Sequence, residues 1–165
     1  MLKSFISTII VVGSLVTVSF HSYAAGSQAK HQGIELTPDL LKLLRAEMRE
    51  ISGGVQGIAL SLATADWKSI ELVSSKIRAS YIMERKLTPS QKKELGQALP
   101  EDFKILDTEF HQRAEKLGMA AAAHDRELTV FHYSRLVESC VRCHSTFATK
   151  RFPGFATPMP MSHHH

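Results

Sequence analysis

From residue 37 onward, apolar residues recur three and four positions apart, the spacing that lines one face of an α-helix. The alternation of a half-buried strand is scarce. The first stretch opens at Thr37-Pro38-Asp39, which offers a capping hydroxyl, a proline at the first helical position and an acid in the first turn. Its stripe runs Leu41, Leu44, Met48, Ile51, Val55, Ile58 and Leu62, the seam of an antiparallel bundle helix. Gly53, Gly54 and Gly57 fall inside it, each costing ~1 kcal/mol against alanine. Either the backbone there comes close to a flat group, or the helix breaks at Gly53-Gly54. A second helix begins near Asp66, carries Trp67, Ile70, Val73, Ile77 and Tyr81, and fades around Glu84. A linker with Thr88-Pro89-Ser90 and one short helical piece follows. The third helix starts at Pro100-Glu101-Asp102, with Phe103, Leu106, Phe110, Ala114, Leu117 and Ala121 inward. The fourth starts near Asp125, turns Val130, Tyr133, Val137, Cys140, Cys143 and His144 inward, and ends close to Lys150. The pattern predicts an all-α, antiparallel four-helix bundle.

The residues before this pattern are of another kind. Lys3 precedes an uncharged, mostly apolar run from Ile6 to Phe20, and Ser22-Tyr23-Ala24 supplies small residues for cleavage before Ala25. The run is shorter than the ~20 residues that span a bilayer, so residues 1–24 read as a cleaved signal peptide rather than an anchor. Residues 25–35 form an N-terminal segment, 36–152 the folded domain, and 153–165 a flexible tail. That tail ends in three histidines, which suit a native end, a metal-scavenging end or an added remnant equally well. At 165 residues, with 44% hydrophobic and 22% charged, one ordinary globular core is expected and general disorder is not. The net charge of +4 falls by one with Lys3. No basic run lies along one helical face, which argues against nucleic acid as a partner.

The chemistry is concentrated in one place. The only two cysteines stand in Cys140-Val141-Arg142-Cys143-His144. On a helix these two cysteines and the histidine share one face. Export would ordinarily turn two cysteines into a disulfide, but three-residue spacing followed at once by histidine is the pattern of haem c attachment. Two thiols add to the vinyl groups while the imidazole ligates iron from the same side. A structural zinc site needs a second pair of ligands. A thioredoxin-type pair needs a strand-helix chain. With a signal peptide, haem implies a bacterial host and the periplasm.

A motif in the last of four helices, with Phe147 three residues after the histidine and Ala114, Leu117 and Ala120-Ala121-Ala122 closing the third helix, resembles the class II c-type cytochromes, the cytochrome c′ family. The resemblance spans roughly residues 36–150. It implies an up-down-up-down bundle with one covalent haem in its core, commonly a homodimer. It also implies His144 as proximal iron ligand and Cys140 and Cys143 as the covalent attachments. Function in that family divides on the sixth ligand. Members with methionine on the first helix are low-spin electron carriers, and Met48 matches that position. Members with an apolar residue there are five-coordinate and bind nitric oxide or carbon monoxide. Core filling is the other reading of Met48.

Arg45, Tyr133 and Phe147 are candidates for the haem pocket. There are departures. The family's arginine four residues before the distal position is Leu44 here, with Arg45 one step on. The basic residue after the aromatic is Ala148, with Lys150 and Arg151 only later, which weakens the gas-binding alternative. His111 and His132 read as surface or hydrogen-bonded histidines, and His124 as a helix-end cation. Met83 and Met119 lie near helix ends, and Trp67 reads as a core aromatic. No nucleophile-base pair or phosphate loop is visible, so the expectation is a non-enzyme. It would pass single electrons between redox partner proteins, with no membrane insertion once the signal is cleaved.

Overall fold

The structure, a computed structural model, describes residues 33–156. The expected signal peptide, most of the N-terminal segment and the tail beyond residue 156 lie outside the described residues. The elements are α1 (Pro38–Ala63), α2 (Trp67–Arg78), α3 (Met83–Lys86), α4 (Pro89–Ala98), α5 (Glu101–Ala122), α6 (Arg126–Phe147) and a 3₁₀ turn (Pro153–Phe155). Among the described residues there is no strand, and the all-α reading is shown. No helix among them is long and apolar enough to cross a membrane.

The helix starts follow the punctuation in the sequence. Asp66 and Asp125 accept the N–H groups of Ser69 and Leu128 at 3.1 and 2.9 Å, which satisfies donors the first turn leaves over. Thr88 and Gln91 close α4 with a reciprocal capping box. Thr37 differs from expectation. It holds the N-cap position of α1 without a side-chain hydrogen bond, and Pro38 and Asp39 define that start instead.

The core is built from Ile58, Ile70, Ile77, Ala114, Leu117, Ala121 and Leu136, all fully buried, with Trp67, Phe110 and Tyr133 packed against it. α5 lies extensively against α2 and α6, α1 lies against α2, and α1 meets α6 at few points. A Cβ on Gly118 of α5 would come within 3.2 Å of the Ser74 Cβ on α2. His111 pairs with the Ile77 carbonyl at 2.8 Å. Arg142 of α6 reaches Glu109 of α5 at 2.7 Å, and Arg113 of α5 donates to the Arg135 carbonyl of α6.

Four local expectations are corrected. First, α1 is unbroken through Gly53-Gly54. A Cβ at Gly54 would lie 2.7 Å from the Tyr81 hydroxyl and 3.0 Å from Val73, so this glycine answers the approach of α2. Second, the inward line of α1 runs through Leu40, Glu47, Ile51 and Ile58 rather than Leu41 and Met48. Met48 is 40% exposed and Glu47 only 3%. Third, α2 stops at Arg78 instead of near Glu84. Ser80 takes a left-handed φ of 56°, rare for a residue with a Cβ, and the chain turns out of the helix there. Fourth, Val130, expected inward on α6, is 51% exposed.

Candidate functional site

Cys140, Cys143 and His144 lie on the last turns of α6, each half-buried. The rotation of α6 is set by Leu136 and Ser139, buried in the bundle, and by Arg142 on Glu109 of α5. Tyr133, Cys140 and His144, at spacings of seven and four, then share the flank toward α1. There the Tyr133 hydroxyl donates to the Val55 carbonyl of α1 at 3.3 Å. Five residues before α1 begins, Gly33 lies beside the Phe147 carbonyl at the end of α6, which a Cβ would approach to 3.7 Å. Residue numbers therefore fall along α1 as they rise along α6. Met48 is two turns before Val55 and Cys140 two turns after Tyr133, so the same step of ~10.5 Å brings Met48 level with Cys140.

Both cysteines are free thiols. The Cys140 thiol donates to the Leu136 carbonyl at 3.7 Å, and burial raises its pKa. Burial, with Asp107 and Cys140 as lesser causes, pushes the Cys143 thiol up to about 11. Both are therefore protonated and unreactive as thiolates near neutral pH. Burial, and then the positive charge of Arg151, lowers the pKa of His144, so its imidazole is neutral and has a lone pair to give. Its ring is stacked on Phe152, with centroids 4.6 Å apart and planes 26° from parallel. Phe147 meets Phe103 edge-on at 5.4 Å.

This donor set fits a covalently held haem. It has two protonated thiols one turn apart, a neutral imidazole beside the second thiol, and aromatic rings at the end of the helix. Among the described residues no group of three or more His, Cys, Asp or Glu side chains gathers as a metal-ion site. Cys140, Cys143, His144 and Phe147 are thus gathered on the last turns of α6, Tyr133 lies two turns earlier on the same helix, and Met48 stands 40% exposed on α1. Arg45 is exposed and makes no described contact with this group.

Other candidates fall elsewhere. His111 is hydrogen-bonded to the Ile77 carbonyl at 2.8 Å and has the Asp107 carboxylate 3.6 Å from its other ring nitrogen. His124 turns the chain after α5 with φ 55° and stacks on Trp67 at 6.1 Å. Met119 is 67% exposed. Two residues missing from the sequence reading stand out. Phe152 leaves no local signal, because a turn after the helix folds it back onto His144. Glu47 leaves one, since Leu40, Leu44, Glu47, Ile51, Val55 and Ile58 keep a seam's spacing as well as the line through Met48 does. Set against family models, curated proteins and solved structures, the chain matches none.

Proposed function

We propose that this chain is an exported, periplasmic, monohaem c-type cytochrome that carries single electrons between redox partner proteins. Its four long helices form an up-down-up-down bundle, with the haem between α1 and the end of α6. The observation that carries this reading is that Cys140, Cys143 and His144 stand half-buried within five residues on the last turns of α6, the helix that α1 meets at few points. The bound haem supplies the gain and loss of one electron at its iron. Each thiol of Cys140 and Cys143 adds its sulfur and its hydrogen across a vinyl double bond, which forms a thioether and consumes no oxidant. His144, held neutral by burial and by Arg151, offers its lone pair, and the Phe152 ring stacked on it restricts its rotation. Met48 of α1 would offer a thioether to the iron, a ligand that favours the reduced state.

The second reading is a five-coordinate protein that binds nitric oxide or carbon monoxide. Two observations favour it: Met48 stands 40% exposed beside the seam, and Arg151 lies close enough to act on His144. Visible spectra of the holoprotein, reduced with and without carbon monoxide, separate the two. The electron-transfer reading predicts sharp low-spin bands that carbon monoxide leaves unmoved. Broad high-spin bands that shift on its addition would establish the gas-binding alternative.

A further inference from the structure

Glu47 is a carboxylate on the buried seam of α1, 3% exposed, at a position where a leucine would pack. Burying a charge is costly unless hydrogen bonds replace its water. Here they do. The N–H of Tyr81 donates to one carboxylate oxygen at 2.8 Å, and those of Ile82 and Met83 donate to the other, the latter at 3.1 Å. Tyr81 and Ile82 lie in the turn between α2 and α3, and Met83 opens α3. They lack helical acceptors because Ser80, at φ 56°, has taken the chain out of α2. The Ser80 hydroxyl accepts from the Met83 N–H as well, at 3.1 Å.

An apolar residue would hold α1 against α2 by buried area, a force without direction, and would permit the helix to settle at several rotations. Three charge-assisted hydrogen bonds permit one. Each residue turns the helix by about 100°, so with Glu47 fixed on the α2–α3 turn, Met48 is carried round to the flank facing α6. Val55, two turns on and on nearly the same flank, is fixed to α6 by the Tyr133 hydroxyl. Met48 thus stands between two anchors.

We propose that Glu47 is the positioning residue of the distal side: by binding the Tyr81, Ile82 and Met83 N–H groups it sets the rotation of α1 and so presents Met48 to the haem. This rests on the reading of Met48 as iron ligand, and extends it to the group that holds the ligand in place. The test uses full-chain holoprotein, with reduced spectra under carbon monoxide and helix content by circular dichroism. In Glu47→Gln the amide keeps a single acceptor oxygen, and the carbon monoxide-binding fraction should rise roughly tenfold or more, the change that losing one charge-assisted hydrogen bond produces, with helix content kept. Glu47→Asp keeps the charge but shortens the reach, and should fall between wild type and Gln; it carries the test if Gln does not fold. If the folded variants melt lower yet stay as low-spin and as inert to carbon monoxide as wild type, Glu47 is structural only and the inference is overturned. A wild-type protein that is itself high-spin overturns the ligation reading, and the inference with it, before any variant is made.

Discussion

The interface between α2 and α5 and the one between α1 and α6 are made differently, and the proposed haem chemistry is assigned to the second. α2 meets α5 through Ile70, Ile77, Ala114, Leu117 and Ala121, all fully buried, and Gly118 admits Ser74 to near contact. Dispersion and loss of water hold that pair together along its length. α1 meets α6 through the Tyr133 hydroxyl and its neighbours, with Cys140, Cys143 and His144 half-buried and Met48 more open still. A closely packed pair makes a rigid frame. Beside the looser pair, Cys140, Cys143 and His144 stay half-buried, and the haem proposal rests on that openness.

That contrast breaks most visibly under truncation. Leu117→Ala removes a fully buried side chain from the tight interface and should cost about 2–5 kcal/mol, read from denaturant melts; a loss under ~1 kcal/mol would mean that α2 and α5 are not so tightly joined. Across the loose interface, Tyr133→Phe deletes one hydrogen bond and should cost about 0.5–1.5 kcal/mol. Met48→Ala, at a side chain 40% exposed, should change the melt of the haem-free chain by less than ~1 kcal/mol, although in holoprotein it removes the proposed ligand.

The smallest effect is a difference in pH response between His111 at the α2–α5 interface and His144 at the end of α6. At the α2–α5 interface, burial opposes charge on His111, but Asp107 and the Ile77 carbonyl outweigh it and raise its pKa above 6.5. Its contribution to stability is full below pH 6.5 and is lost as pH rises through the raised value. At the end of α6, burial and Arg151 lower the pKa of His144 below 6.5. The contribution of His144 is present above pH 6.5 and is lost as pH falls through the lowered value. In the haem-free chain, ring-proton titration by NMR should find His111 titrating above His144. The reverse order would contradict the packing described for both.

Much of the frame was legible because it is written locally. Asp66, Asp125, Pro38 and Pro100 punctuate the helices, and the apolar stripes of α2 and α5 admit one inward face. Spacing alone also put Cys140, Cys143 and His144 on a common flank. The seam of α1 was not legible in the same way. Two lines of residues fit its periodicity, and hydrophobicity prefers Met48 to Glu47. What favours Glu47 is a set of backbone donors 34 to 36 residues away, created by a turn at Ser80 that no stripe announces. Gly54 was misread for a related reason. A glycine within a helix signals close approach without naming the neighbour, and the neighbours are Tyr81 and Val73.

The central claim is that Cys140 and Cys143 hold a haem by covalent bonds, and the intact mass of the exported chain under denaturing conditions tests it most directly. Produced in a host that attaches haem c, the mature chain should weigh more than its polypeptide by one haem, keep that haem through denaturation, and lose it in the Cys140→Ala, Cys143→Ala double variant. A mature chain of polypeptide mass alone, with both thiols free to alkylation, would contradict the account.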